Sequence, residues 1–292
     1  MVLYRSPLRV VFEVFLYVFF LAFLALVIVP LMNVVAVSLS SKDAVMSFGV
    51  SVLPVEFQTK AYELILSSRV FLSSFGNTLL VTVANTAFTI LIAASAGYAL
   101  ANRSFVGARV VFGYFLFAMY FSGGLIPFYL TVNAYGLNNT RLALILPYLV
   151  SVFYIIVFRN TIARLPREIV ESAEVDGAPD RAILFRIVLP LLLPMVAAFT
   201  IISAVGFWNM WFPVLIFIRD QSKWTLQYLL RHTYTNPGMG VYAEGIVENP
   251  ENIIPENLIN AAIVCTIAPI IVIYPFLQRY FIHGVLVGAV KE

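Results

Sequence analysis

The sequence predicts an all-α integral membrane protein that is built around six transmembrane helices. Apolar residues make up 61% of the 292 residues, and charged residues make up only 11%. The mean hydropathy of +0.94 is too high for a soluble domain with a polar surface. The apolar residues also occur in long runs, whereas the strands of a membrane barrel would alternate apolar and polar residues over about ten positions.

Six of these runs carry no charge and can cross a hydrocarbon layer of about 30 Å, which takes roughly 20 residues of helix. Within the third run, Gly123-Gly124 followed by Pro127 predicts a break or a point of close packing. The fourth run is short for a span. We expect the whole chain, residues 1–292, to form a single transmembrane domain. The six predicted spans cover residues 14–37, 79–101, 110–132, 142–158, 191–218 and 258–276.

The first run follows Arg5 and Arg9, as the apolar core of a signal peptide would. It is longer than such a core, and no clear cleavage site of small residues follows it. We therefore interpret it as a retained first span.

The distribution of basic residues predicts that both termini are cytoplasmic. In that orientation 11 of the 18 Lys and Arg residues lie inside and seven lie outside, although the two longest loops are outside. The net charge of +3 requires no nucleic-acid partner, because attraction to anionic lipid accounts for it. We expect a multi-pass protein of the inner or plasma membrane.

The two long external loops have different sequence patterns. In the first, residues 38–76, Phe57, Ala61, Leu64 and Ile65 recur at helical spacing and predict a short amphipathic helix. The second, residues 219–257, is the longest loop and the most acidic. It is either a solvated connector or a contact surface for an extracytoplasmic partner.

Most of the remaining charge lies between the fourth and fifth runs, in residues 159–190, which we call the polar segment. Pro166 can open a helix that places Ile169, Val170 and Ala173 on one face. Gly177 can end that helix, and Pro179-Asp180 can open a second one. We expect this projection to dock in a groove on another protein, because it cannot bury its apolar face by itself.

The polar segment resembles the EAA loop of the membrane subunits of ATP-binding-cassette (ABC) importers. Three further stretches resemble the carbohydrate branch of that family, which handles oligosaccharides: Gly123–Pro127, Tyr135–Thr140 and Trp208-Asn209-x-Trp211-Phe212. The resemblance covers the chain from about Phe75 onward. In the EAA loop, Ser172 stands where the family commonly has alanine, and the matching residues are Glu171, Ala173, Gly177, Ile187, Leu189 and Pro190.

The resemblance implies that this chain forms the membrane pathway and that other subunits hydrolyse ATP and deliver the substrate. The polar segment would be a coupling helix in a cleft of a cytoplasmic ABC ATPase, with Glu171 making polar contact. The implied partners are a homologous second permease subunit (giving a heterodimer), two ATPase subunits, an extracytoplasmic solute-binding protein and a sugar. The residues assigned to coupling are Glu171, Ser172, Ala173, Asp176 and Gly177.

The chain itself is not expected to be an enzyme or to hold a cofactor. It contains no Gly-x-x-x-x-Gly-Lys phosphate loop, and His and Cys show no metal-ligand spacing. ATP and Mg²⁺ would therefore bind to the partner ATPase.

Polar side chains within the spans are the candidates for a substrate pathway, because such groups usually face the bundle interior or a wet cavity. Asn209 between Trp208 and Trp211 combines an amide with aromatic faces, which suits a sugar. Asn85 and Tyr120, the latter close to Ser122, are further candidates. Packing or anchoring at the membrane interface is the alternative role for the aromatic residues.

Two other functions remain open at this point. A stand-alone ion-coupled secondary transporter would require ionisable residues within the spans, and the six runs contain essentially none. A membrane-embedded enzyme would require clustered His, Asp or Glu at the membrane face, and the sequence shows no such cluster.

Overall fold

The structure is a computed structural model that describes residues 7–47, 49–102, 104–235 and 255–289. All regular secondary structure in these ranges is helical. The acidic centre of the predicted second external loop, residues 236–254, lies outside the described residues, as do Arg5 and Arg103. The α-helices are α1 (Pro7–Ser38), α2 (Lys42–Met46), α3 (Lys60–Ser67), α4 (Arg69–Ala101), α5 (Ala108–Tyr120), α6 (Leu125–Ala134), α7 (Val152–Ile162), α8 (Arg167–Val175), α9 (Asp180–Ala182), α10 (Leu189–Leu191), α11 (Leu193–Trp208), α12 (Phe212–Phe217), α13 (Leu226–Thr235) and α14 (Pro255–Ala289).

Four helical stretches among the described residues are long and apolar enough to cross a membrane. They are Pro7–Ser38, Arg69–Ala101, Arg141–Ile162 and Pro255–Ile273. Two bent helix pairs raise the number to six if each pair forms one span. The pair α5 and α6 is bent by 116°, and the pair formed by Asp180–Leu191 and Leu193–Trp208 is bent by 84°.

The bends and breaks follow the positions of glycine and proline. The predicted break in the third run lies at residues 121–124, between α5 and α6. The fifth run, residues 191–218, is not one continuous helix: it bends at Leu192, between Pro190 and Pro194, and α11 ends at Trp208. Proline has no N–H to donate and clashes with the preceding turn, which explains the bend at Leu192. The break after α5 contains Gly123 and Gly124 instead.

The fourth run begins as two 3₁₀ turns, Arg141–Leu144 and Leu146–Tyr148, before α7 begins at Val152. The Ser151 hydroxyl accepts a hydrogen bond from the Tyr154 N–H at 3.4 Å and caps α7. The turns add to α7 the length that makes this stretch a candidate span.

The chain divides into two compact units. The first unit is Met1–Phe71 with His232–Ile267. In it, the amide of Asn257 donates to the carbonyls of Val37 at 2.7 Å and Ser40 at 3.0 Å, which joins the beginning of α14 to the end of α1.

The amphipathic helix predicted in this unit is α3, but its buried face is smaller than predicted. Ala61 and Ile65 are buried, whereas Phe57 precedes the helix and is exposed. Including Phe57 in the apolar face was therefore wrong, because helical spacing has no meaning for a residue outside the helix.

The second unit is Leu72–Arg231 with Ala268–Glu292. Its core joins α4, α7, α11 and the polar segment around Phe158, which is fully buried. Tyr154 and Phe199 stack at 4.3 Å between ring centroids and connect α7 to α11. The core therefore brings the polar segment together with three apolar helices.

Candidate functional sites

The polar segment contains one well-formed amphipathic helix, α8, with a defined end. Gly177 has a φ of +76°, which is the left-handed conformation that glycine adopts without steric cost. The N–H of Gly177 donates to the Glu174 carbonyl and that of Ala178 donates to the Ala173 carbonyl, both at 3.0 Å. This is the Schellman pattern, and it satisfies two carbonyls that the helix leaves unpaired.

The apolar face of α8 is buried by the chain itself. Ala173 is buried, and Val170 packs against the same core together with Ile183 and Leu184 of the polar segment. The prediction that this segment cannot cover its apolar face was therefore wrong. The exposed residues of α8 and its end include Glu171, Ser172, Val175, Asp176 and Gly177.

Residues Ile183–Val188 form a π-helix, which no pattern in the sequence predicted. Such helices are rare and frequently occur at functional sites. The wider turn buries Ile183, Leu184 and Val188 and leaves Arg186 exposed. The π-helix also contains Ile187, which belongs to the motif that carries the family resemblance.

A cavity of about 240 Å³ lies where α4, α7 and α8 meet. Its polar lining includes Tyr98, Asn102, Glu171 and Glu174. Beside it, the Tyr98 hydroxyl donates to Oδ1 of Asp180 at 3.2 Å. This bond links the last turns of α4 to the first residue of α9.

A second cavity, of about 420 Å³, collects hydroxyl groups around the break between α11 and α12. We call it the hydroxyl cavity. Among its lining residues are Thr89, Tyr148, Ser151, Tyr154 and Ser203. Two of the predicted pathway residues, Asn209 and Trp211, also line it.

The remaining predicted pathway residues lie elsewhere. Trp208 is buried, packs edge-on against Phe75 and lines a separate apolar cavity of about 470 Å³. Asn85 is fully buried and donates to the Leu144 carbonyl at 2.9 Å, so its amide connects α4 to the 3₁₀ turns before α7. Tyr120 is 76% exposed and ends α5, close to Ser122.

Two residues of α13 that the sequence analysis did not select lie against the lining of the hydroxyl cavity. The Gln227 amide donates to Oδ1 of Asn209 at 2.9 Å, and the Arg231 guanidinium lies 3.8 Å from the centroid of the Trp211 ring. Their spacing of four residues places them on one face of α13. The amphipathic pattern of α13 could have indicated this face but not what it contacts.

Two asparagines hold the segment after α12 in place. Oδ1 of Asn139 accepts hydrogen bonds from the N–H groups of Arg219 at 3.1 Å and Asp220 at 2.9 Å. The Asn77 amide donates to the carbonyls of Ser222 at 2.8 Å and Trp224 at 3.0 Å. Asn139 belongs to the Tyr135–Thr140 stretch of the family resemblance, and its bonds give that residue a structural role.

Asp220 begins the turn that these asparagines hold. Hydrogen bonds from the Ser222 hydroxyl, Lys223 and the Ser222 N–H lower the pKa of this carboxyl to about 2. The Lys223 ammonium is 3.0 Å from Oδ2. The carboxylate therefore stays ionised at any physiological pH and serves to cap the turn.

The chain matches the family model described as "Binding-protein-dependent transport system inner membrane component" over residues 89–287. That range is more than half of the sequence. The chain belongs to this family. The family predicted from the EAA-like motif is thereby confirmed, and the motif, residues 171–190, falls within the matched range.

Two relatives and one solved structure are similar to this permease over 90% or more of their lengths. Protein LplC of Bacillus subtilis (strain 168) is 36% identical over 268 residues, which cover 91% of this chain and 90% of that protein. The polygalacturonan/rhamnogalacturonan transport system permease protein YtcP of the same strain is 34% identical, with 96% and 98% covered. A chain in the crystal structure of a bacterial ABC transporter involved in the import of the acidic polysaccharide alginate superposes with a TM-score of 0.89 at 29% identity, covering 95% of this chain and 99% of that one.

The family match and the similar proteins also show which class of transporter the chain belongs to. The permease is a membrane component of an ABC importer of the sugar type, and the alternative of an ion-coupled secondary transporter receives no support. Among the side chains whose burial the structure describes, no carboxylate, lysine or arginine is buried.

Proposed function

We propose that this permease spans the membrane six times, with both termini cytoplasmic, and passes a saccharide oligomer through the hydroxyl cavity. The composition of that cavity carries the proposal. Its hydroxyls and the Asn209 amide can exchange hydrogen bonds with sugar hydroxyls, and the Trp211 ring offers an apolar face for sugar C–H groups. The names of YtcP and the alginate transporter point to polymeric sugar substrates in relatives.

The partners follow from the family. A homologous second permease, two cytoplasmic ATPase subunits that bind ATP and Mg²⁺, and an extracytoplasmic solute-binding protein complete the importer. The surface for the ATPase is the exposed side of α8, with Glu171, Ser172 and Asp176 on it. Ala173 supports this surface from the core, and Gly177 allows close approach at its end.

In the proposed mechanism, a movement of α8 changes the access to the hydroxyl cavity. ATP binding would bring the two ATPase subunits together and move α8 with them. Because α8 packs on the core shared by α4, α7 and α11, these helices would shift as well. The shift would open the hydroxyl cavity to the docked binding protein, and hydrolysis would reverse it.

The test is reconstitution of the complete importer and uptake of alginate and polygalacturonate fragments, with raffinose as a neutral sugar. Glu171→Lys should reduce ATP-driven uptake at least tenfold, because it reverses the charge on the exposed side of α8. Glu63→Lys reverses an equally exposed charge on α3 and should leave uptake unchanged. Purification of the chain without any ATPase, together with full uptake by Glu171→Lys, would refute the proposal.

A further inference from the structure

Tyr98 lies at the end of α4, where that helix meets the polar segment. Its ring is 9% exposed, and its hydroxyl donates to Asp180 at 3.2 Å. Within the described residues, this is the one side-chain to side-chain hydrogen bond that joins α4 to the polar segment. Asp180 is exposed, so the carboxylate reaches the phenol from the surface.

The backbone around Tyr98 is held firmly against α7. A Cβ atom on the neighbouring Gly97 would lie 2.6 Å from Cβ of Phe158 and 2.9 Å from the N of Arg159, so the two helices cross in direct contact. Nε of Arg159 donates to the Leu100 carbonyl at 3.4 Å. The end of α4 is therefore packed closely against α7 as one block, and Tyr98 extends from this block to Asp180, beyond α8 in the polar segment.

The contacts that α8 and the π-helix make with this block in the shared core are apolar. They involve Ala173, Ile183 and Leu184 in the shared core. Apolar contact is non-directional, so by itself it does not specify one position of the polar segment along α4. A hydrogen bond to a carboxylate requires a short distance and a defined angle and is stronger than a neutral one. The Tyr98–Asp180 bond is thus suited to fix the position of the polar segment along α4.

α4 also leads directly to the hydroxyl cavity. It is continuous from Arg69 to Ala101, and Thr89, which lines the cavity, lies on it. Tyr98 follows Thr89 by nine residues, about 14 Å along an α-helix. A displacement of the polar segment that is transmitted at Tyr98 would therefore reach the cavity through one uninterrupted helix.

We propose that Tyr98 is a positioning residue, which transmits the movement of the polar segment to α4 through its hydrogen bond to Asp180. The inference rests on the proposed function, since it assumes that an ATPase moves the polar segment. Without the bond, ATP is still hydrolysed, but α4 follows the polar segment less closely and less sugar is moved per ATP.

The test measures sugar imported per ATP hydrolysed by the complete importer in proteoliposomes, with alginate and polygalacturonate fragments as probes. Tyr98→Phe keeps the ring and removes the hydroxyl, and it should lower this ratio severalfold, because the bond to Asp180 is lost. Asp180→Ala should have the same effect, whereas Asp180→Asn keeps an accepting oxygen and should retain the ratio. The double variant Tyr98→Phe/Asp180→Ala should be no worse than either single variant.

Tyr62→Phe is the matched control, because it removes another tyrosine hydroxyl that is hydrogen bonded, to Ser38 at 2.6 Å. It should leave the ratio unchanged. An unaltered ratio in Tyr98→Phe, or equal losses in Asp180→Asn and Asp180→Ala, would overturn the inference. If Tyr98→Phe fails to assemble, the two Asp180 variants decide the matter, since Asp180 is exposed. A wild-type complex without ATP-driven uptake would instead refute the proposed function.

Discussion

At the scale of single residues, Asn139 follows α6, has an unusual backbone conformation and contacts the turn after α12. Its φ is +57°, a left-handed conformation that asparagine tolerates better than most residues. Its N–H donates to the Phe217 carbonyl at 2.8 Å, and its own carbonyl accepts from the Lys223 ammonium at 2.8 Å. One residue thus combines backbone strain with four hydrogen bonds, two of them through its side chain.

Asn139→Ala should lower the free energy of unfolding by about 2 kcal/mol, because two backbone N–H groups lose their acceptor and alanine tolerates this φ poorly. Thermal unfolding of the purified protein in detergent measures the change. Asn139→Gly removes the side chain without the backbone strain and should cost less than Asn139→Ala. Equal midpoints for Asn139→Ala and the wild type would show that the turn does not depend on this side chain.

At the scale of elements, the crossing of α4 and α7 determines where the cavities and the polar segment lie. The crossing depends on Gly97, which allows Phe158 to approach the α4 backbone. Phe158 in turn packs against Phe199 of α11 at 5.8 Å between ring centroids. A single glycine therefore sets the distance among the three helices of the second unit's core.

Gly97→Ala should destabilise the protein by about 1–3 kcal/mol or more, because the added methyl group meets backbone as well as a side chain and forces the helices apart. Gly113→Ala in α5 is the matched control, since a Cβ atom there meets nothing within 4 Å. It should be neutral or slightly stabilising. The thermal midpoint of Gly97→Ala should therefore fall, whereas that of Gly113→Ala should equal the wild-type value or rise slightly. A neutral Gly97→Ala would contradict the close crossing.

At the scale of the whole molecule, the charged groups are confined to exposed or half-exposed positions among the described residues. The buried polar groups are neutral, and they concentrate on α4 as Ser74, Asn77, Thr78, Thr82, Asn85, Thr86 and Thr89. Neutral groups are far less costly to place in a membrane than charges. This distribution fits a permease that moves a hydroxyl-rich substrate and takes its energy from another subunit.

The proposed topology predicts opposite labelling of two exposed positions. Val175 in the polar segment is 87% exposed, and Tyr135 after α6 is 78% exposed. In a Cys265→Ala background, Tyr135→Cys should react with a membrane-impermeant maleimide added to intact spheroplasts, whereas Val175→Cys should react only after lysis. Labelling of Val175→Cys in intact cells would refute the proposed orientation.

The sequence by itself determined the membrane class, the helical character and the family, because these depend on composition and on local spacing. The end of α8 at Gly177 and the break after α5 are local in the same way. The positions of individual side chains were harder to predict from the sequence. Asn209 and Trp211 lie together at the hydroxyl cavity, whereas Trp208, one residue before Asn209, lines a different cavity. A pattern of residue types cannot show which side of a broken helix each side chain will occupy.

Only the tertiary structure decided what covers the apolar face of α8 and which residues meet across the core. Tyr98 and Asp180 are 82 residues apart in sequence, and Asn139 contacts residues 80 and 81 positions away. Such contacts arise from the packing of several helices at once, and a single glycine or a bend of 84° changes them. The sequence therefore identified the kind of transporter, while helix packing set the positions of its cavities and the bond that joins the polar segment to α4.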